Sequence, residues 1–231
     1  MLVIANARAT FSSSSKTLTF ATPTAAAKGD VLLALIAHNA ADTVSSAPSG
    51  WTLIDTLGSG SDTLDAYVHM VGDAEPTSAV YALATVANEW QGELVALRGT
   101  SPGVIKEASA TASYSATTSL TTAGVTSQQA INLIMSAWAC SGAPVLTLPA
   151  GFTAIDSFAT AVVASRSMLL GYKLAGATGA LTFPAATAGT NTTGRSFTFV
   201  LRDRIPVTPD ALVDLVPGNI GLIGKDTRPA R

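Results

Sequence analysis

The feature that most constrains this chain is an internal repeat with a spacing of about 100 residues. Residues 48–55 read Pro-Ser-Gly-Trp-Thr-Leu-Ile-Asp, and residues 149–156 read Pro-Ala-Gly-Phe-Thr-Ala-Ile-Asp. Further segments recur in the same order around this pair. Self-similarity at a fixed spacing is the sequence signature of a structural unit that is present more than once. The two halves are therefore predicted to share one fold.

The recurring segments have the composition of β-strands. Residues 31–37 form a short apolar run after Lys-Gly-Asp, and residues 131–137 are taken as its counterpart. Short apolar runs bounded by turn residues are typical of core strands. The other recurring segments, which are shorter or alternate between polar and apolar residues, pair as follows: 17–19 with 119–121, 64–70 with 168–174, and 94–98 with 198–202.

Strand signals dominate both halves, whereas Glu, Lys and Gln, which favour helices, are scarce. The chain is therefore predicted to be all-β: an antiparallel, jelly-roll-like β-sandwich built from two pseudo-repeats. The predicted units are residues 1–104 and 105–204, followed by a C-terminal arm over residues 205–231. Each half offers about five strand candidates, which is few for an independent sandwich. Two closely packed lobes are favoured over one larger sandwich that shares strands.

The repeated Pro-x-Gly-aromatic-Thr unit predicts a turn that opens into a strand. Proline and glycine build the turn, since glycine is free to take a positive φ. The aromatic side chain, Trp51 or Phe152, then drops into the core. An anchor for folding is favoured over an exposed ring that stacks on a sugar, because large aromatic side chains are usually buried.

The last segment belongs to neither repeat. Residues 208–216 combine a threonine N-cap, a proline at the first helical position and apolar residues at helical spacing, which predicts one short helix. The Pro-Gly pair at 217–218 ends it, and an extended tail follows. We expect this arm to bind a neighbouring subunit through five apolar side chains: Leu212, Leu215, Ile220, Leu222 and Ile223.

Composition excludes several classes of protein. Charged residues make up 12% of the chain and the net charge is −2, which gives no basic face for nucleic acid. The one cysteine, Cys140, lies in an apolar run and is expected to be buried, and a single cysteine cannot form a disulfide within the chain. No apolar stretch is long enough to span a membrane, and the N-terminus lacks the basic region of a signal peptide. The protein is therefore expected to be made in the cytoplasm and to stay off membranes.

Residues suited to catalysis or metal binding are few. His38 and His69 lie in strands, and neither accompanies a nucleophile motif. Asp42, Asp62 and Asp65 are interpreted as solvated residues in or beside loops, because calcium needs six to eight oxygen ligands. We expect no enzyme activity, no catalytic residue, no metal and no cofactor.

The motifs at the start, corner and end of the first half resemble those of a β-sandwich module found in tailed-phage structural proteins and some bacterial surface proteins. They are Gly-Asp-Val-Leu-Leu at 29–33, Pro-Ser-Gly-Trp-Thr-Leu at 48–53, and Val-Ala-Leu-Arg-Gly at 95–99, with Tyr67 between the last two. The second half carries a more divergent copy, in which Phe152 replaces the tryptophan. The resemblance covers residues 10–204 and brings no catalytic residues with it.

This resemblance implies a structural protein of a tailed-phage virion. The role expected first is a capsid decoration or cement protein, anchored by its C-terminal arm on the major capsid protein or other virion subunits and forming a homo-oligomer. The alternative is a tail- or fibre-associated module that binds host carbohydrate. Trp90 and Tyr114 are the candidates for stacking on a glycan, because they lie outside the repeated core pattern.

Overall fold

A computed structural model gives the fold of seven stretches of the chain: residues 2–10, 16–38, 43–59, 62–84, 90–99, 106–160 and 166–202. All of its regular elements are β-strands paired antiparallel, so the prediction of an all-β antiparallel sandwich is confirmed. Within these stretches no helix is long and apolar enough to cross a membrane. The predicted arm over 205–231, with its short helix, lies outside the described residues.

The strands of the first half form one eight-stranded sheet in the order β4-β7-β2-β1-β8-β3-β6-β5. Their bounds are β1 Leu2–Thr10, β2 Thr17–Ala21, β3 Val31–His38, β4 Val44–Ser46, β5 Thr52–Ser59, β6 Asp62–Met70, β7 Ser78–Leu83 and β8 Gln91–Arg98. The sheet curls into a half-barrel around a core that includes Leu18, Phe20 and Tyr81. We call this unit the first lobe.

The strands of the second half form the second lobe. Their bounds are β9 Lys106–Leu120, β10 Val125–Ser127, β11 Leu133–Ser141, β12 Leu146–Thr147, β13 Thr153–Thr160, β14 Arg166–Leu174, β15 Gly179–Leu181 and β16 Ala186–Leu201. The main sheet has the order β12-β16-β11-β14-β13, with β9 also paired to β16, and β10 and β15 form a separate pair.

Strand β3 of the first lobe is buried on both faces because it serves two cores. In β3, Val31, Leu33 and Leu35 face the other lobe, as successive side chains of a strand point to opposite faces. The alternate residues Leu32 and Ile36 face the core of their own lobe. An apolar run without alternation is thus explained by a sheet that is covered on both sides.

The counterpart of β3 is β11, which begins two residues later than the sequence repeat predicts. Ile131 is 49% exposed and precedes the strand, while the backbone carbonyl of Asn132 accepts a hydrogen bond from the Ala175 N–H. The structural equivalents of Val31 and Leu33 are therefore Leu133 and Met135, which face the same inter-lobe core. Apolar residues on both sides of the true start hide this shift in the sequence.

The repeated corner is a turn closed by glycine in both lobes. The Trp51 N–H donates to the Pro48 carbonyl at 3.2 Å, and Gly50 has a φ of 81°. A hydrogen bond across four residues with a positive φ at the third is the geometry of a type II turn. In the second lobe Phe152 bonds Pro149 in the same way. Both aromatic rings are half-buried and pack on the core of their own lobe.

The two lobes pack face to face through one apolar layer with reciprocal ion pairs at its edges. Lys106 Nζ of β9 donates to Asp55 Oδ2 of β5 at 2.8 Å. Arg8 Nη2 of β1 donates to Asp156 Oδ1 of β13 at 2.6 Å. Asp55 and Asp156 occupy equivalent positions of the repeat, each just after a β-bulge. The apolar layer includes residues from both sheets: Leu33, Leu35, Leu64, Val95, Leu97, Met135, Leu170, Phe197 and Phe199.

One carboxyl group is buried in this inter-lobe layer. Glu93 of β8 is fully buried, and its Oε1 accepts a hydrogen bond from the Asn6 amide at 2.7 Å. Burial raises the pKa of Glu93 from 4.5 to about 8. Between these two values the folded protein keeps a proton that the unfolded chain releases, so the free energy of unfolding falls as the pH rises.

Replacing Glu93 with glutamine should remove this pH dependence. We expect the Glu93→Gln variant to gain stability relative to the wild type as the pH rises from 5 to 8, by at most about 1.4 kcal/mol per pH unit. Urea unfolding at each pH measures the difference. The exposed Asp73→Asn variant is the control and should show no such trend. A constant difference between Glu93→Gln and the wild type across this range would contradict the prediction.

Candidate functional site

An open cleft of about 420 Å³ lies at the seam of the first lobe. The strands β4 and β5 are the two ends of the eight-stranded order, and the curl of the sheet brings both to the cleft. The lining residues come from β3, β4, β5 and β6 and from the residue before β4: His38, Thr43, Val44, Leu53, Thr56, Gly58, Thr63, Asp65 and Tyr67.

A buried carboxylate organises the polar side of the cleft. The Thr56 hydroxyl donates to Asp65 Oδ1 at 2.7 Å, and His38 Nε2 lies 3.1 Å from Asp65 Oδ2. Both Asp65 and His38 are buried. The His38 ring also stacks on the Trp90 indole, with ring centroids 4.6 Å apart. Asp65 and His38 are therefore held in place on several sides.

Two further groups at the cleft can form hydrogen bonds. Thr63 is 5% exposed, and its hydroxyl oxygen has no hydrogen-bond partner in the part of the chain that the structure describes. Tyr67 lies beside Asp65 in the wall, where burial, with a smaller effect of the Asp65 charge, raises the pKa of Tyr67 to about 12. Tyr67 therefore stays neutral and keeps its phenol proton at physiological pH.

The order of these groups suits binding rather than nucleophile activation. In a catalytic triad a histidine lies between the carboxylate and the attacking hydroxyl. Here the carboxylate of Asp65 lies in the middle, and the Thr56 hydroxyl donates a hydrogen bond to Asp65. Among the described residues there is no group of three or more His, Cys, Asp or Glu side chains placed to hold a metal ion.

The same positions in the second lobe are less polar. The registers of β3 with β6 and of β11 with β14 make Cys140 the equivalent of His38 and Leu169 the equivalent of Asp65. Both of these side chains are buried in an apolar cluster. The fold can thus be built at these positions without a histidine or a carboxylate.

Both residues that the sequence suggested for glycan stacking are buried, so that expectation is wrong. Trp90 is fully buried in the core of the first lobe. Tyr114 is 6% exposed, and its hydroxyl donates to the Ala139 carbonyl at 2.9 Å. A ring enclosed by protein offers no face to a sugar. Trp90 and Tyr114 lie outside the pattern that repeats in the sequence, but both side chains are part of the core of their lobe.

The other candidate residues fall in different places. Asp42 lies outside the described residues. The same is true of the five predicted arm residues: Leu212, Leu215, Ile220, Leu222 and Ile223. Asp65 was interpreted as a solvated residue, but it is buried in β6 and faces the cleft. The sequence separates His38 and Asp65 by 27 residues. Aligning the two repeats strand by strand would have found them, because it sets each polar residue beside an apolar one.

A scan against protein-family models, a search of curated proteins and a search of solved structures each found no match. A functional assignment therefore depends on the residues and geometry described above.

Replacing the buried pair with apolar residues tests whether the fold needs it. We expect the double variant His38→Leu/Asp65→Leu to unfold within about 1 kcal/mol of the wild type, because exchange of a buried polar pair for well-packed apolar residues is often neutral or stabilising. The single variant Asp65→Leu should lose more than about 1 kcal/mol, since it removes the buried carboxylate that faces His38 Nε2 and accepts from Thr56. Thermal and urea unfolding measure both. A double variant less stable than the single one would give the pair a structural role.

Proposed function

We propose that this chain is a structural subunit of a tailed-bacteriophage virion, and specifically a capsid decoration protein. Its two lobes form the folded body, and its C-terminal arm attaches that body to the major capsid protein or to other virion subunits. In this proposal the protein is made in the host cytoplasm, is incorporated into the particle as a homo-oligomer and has no enzyme activity.

The observation that carries the proposal is that the module motifs are framework residues. Asp30, from the Gly-Asp-Val-Leu-Leu motif, binds Arg98, from the Val-Ala-Leu-Arg-Gly motif, through two bonds of 2.9 and 2.7 Å. Asp30 is buried, and the pairing with Arg98 lowers its pKa despite that burial. The ion pair joins the start of β3 to the end of β8. The two motifs that carry the resemblance therefore stabilise the pairing of these strands.

The second lobe achieves the same closure with different residues. Arg202 follows β16 and bonds Glu107 of β9 at 3.3 Å. The same carboxylate accepts a hydrogen bond from Asn132, the equivalent of Asp30, at 2.9 Å. A scaffold that is rebuilt in both halves, with few charges elsewhere, fits a protein whose task is packing in an assembly rather than chemistry.

The surface of each lobe also supports assembly. Met70 at the end of β6 is 51% exposed, and its equivalent at the end of β14, Leu174, is 55% exposed. Each lobe thus presents an apolar side chain at the same place. Because charged residues are only 12% of the chain, few like charges oppose the close approach of neighbouring copies.

Removing the arm tests the proposed attachment. We expect a chain lacking residues 206–231 to keep the unfolding transition of the full chain, since both described lobes end before this segment. It should be lost from virions when it replaces the wild-type chain. Quantitative mass spectrometry of purified particles measures its occupancy, and reconstruction of intact virions and separated tails locates the wild type.

A matched pair of point variants separates the arm from the folded body. Leu212→Asp/Leu215→Asp should reduce incorporation, whereas Lys28→Asp, at an exposed position in the first lobe, should not. Normal occupancy of the truncated chain would contradict attachment by the arm. Density on tail fibres alone would contradict decoration of the capsid and favour the alternative, recognition of host carbohydrate.

A further inference from the structure

We propose that the cleft of the first lobe binds a small neutral hydroxylated molecule, of about the size of a monosaccharide, with Asp65 and Thr63 as its polar contacts. The inference does not depend on a virion role, because the cleft is complete within one lobe. The proposed site is different from the one expected from the sequence, because the rings of Trp90 and Tyr114 are buried.

The size and the walls of the cleft fit such a ligand. Its volume of about 420 Å³ lies within the range of 300–1,000 Å³ that is usual for small-molecule sites. Val44 and Leu53 supply apolar wall, and Leu53 is 48% exposed at the rim. A sugar has apolar C–H faces and polar edges, so it matches a cleft with one apolar and one polar side.

The polar groups can both accept and donate hydrogen bonds. Each oxygen of a carboxylate can accept two hydrogen bonds. Each Asp65 oxygen has one partner described above, His38 or Thr56, and therefore retains capacity for a ligand hydroxyl. The Thr63 hydroxyl can donate one bond and accept others. Neighbouring hydroxyls of a sugar ring need this mixture of acceptors and donors.

The charge of the cleft selects against anions and metal ions. Asp65 is the one acidic residue among the described lining residues, and its negative charge would repel a bound anion. A single carboxylate that is hydrogen-bonded to a threonine and faces a histidine is a poor cage for a hard cation, which needs six or more oxygen ligands. A neutral polyol meets neither difficulty.

The Thr63 hydroxyl has no hydrogen-bond partner among the described residues, and this is the strongest sign of a ligand. A buried hydroxyl without a partner destabilises a protein, so such groups are rare. In the second lobe the equivalent residue, Ser167, has hydroxyl contacts with the carbonyls of Gly142 and Pro144 at 3.4 and 3.3 Å. The first-lobe positions equivalent to Gly142 and Pro144 lie outside the described residues, and the described residues offer Thr63, beside the open cleft, no hydrogen-bond partner.

The test combines ligand binding with stability, using the full chain. Saturation-transfer NMR with glucose, galactose, mannose, N-acetylglucosamine and rhamnose, each at about 10 mM, detects binding of millimolar affinity. We expect at least one sugar to bind the wild type and Thr63→Val to weaken that binding about tenfold, the loss of one good hydrogen bond. The melting temperature of Thr63→Val should equal or exceed that of the wild type, because the Thr63 hydroxyl has no partner in the described stretches of the chain.

Matched variants make the result specific to the cleft. Thr52→Val makes the same chemical change on β5 outside the cleft and should leave sugar binding unchanged. Asp65→Asn should weaken binding at least as much as Thr63→Val. If no sugar binds the wild type, or if Thr63→Val binds sugar as the wild type does, the proposal is overturned. Preferential binding of ethanolamine would assign the cleft to a cation and would overturn it as well.

Discussion

The apolar layer between the lobes is the constraint on which the rest of the structure depends. Leu33 in the first lobe and Met135 in the second contribute to a core that neither lobe completes alone. The ion pairs at its edges are reciprocal, since Asp55 and Asp156 each bind the first strand of the other lobe. A self-complementary contact of this kind is what a two-fold symmetric dimer forms between identical surfaces. The chain has such an interface within itself.

The curl of the first-lobe sheet follows from that layer. One face of β3 is buried against the second lobe, so the opposite face needs its own cover, and the sheet supplies it by bending over itself. Bending brings the end strands β4 and β5 to a seam. In the second lobe the separate pair of β10 and β15 covers part of the corresponding face. In the second lobe Leu148 packs closely on Gly171. The equivalent residues of the first lobe are Ala47 and Tyr67. The open cleft lies at the seam of the first lobe.

The sequence predicted the fold correctly where the same structural feature occurs in both halves of the chain. The spacing of the two corners predicted two similar sheets, and the apolar run at 31–37 predicted a core strand. It did not reveal that this run serves two cores, because a strand buried on both faces has no alternation to indicate which face meets which partner. Trp90 and Asp65 were misjudged for a related reason: local composition does not report what the curl of a sheet encloses.

The two lobes serve as an internal comparison that separates structural from functional polar groups. Buried or half-buried polar residues with equivalents in both lobes, such as Asp55 and Asp156, hold the halves together. His38 and Asp65 have apolar equivalents, so they are not a requirement of the architecture. Polar burial is costly unless it is satisfied, and Thr63 lacks a partner among the described residues. The first lobe therefore carries two polar groups, His38 and Asp65, that the second lobe replaces with Cys140 and Leu169, and both of them line the cleft.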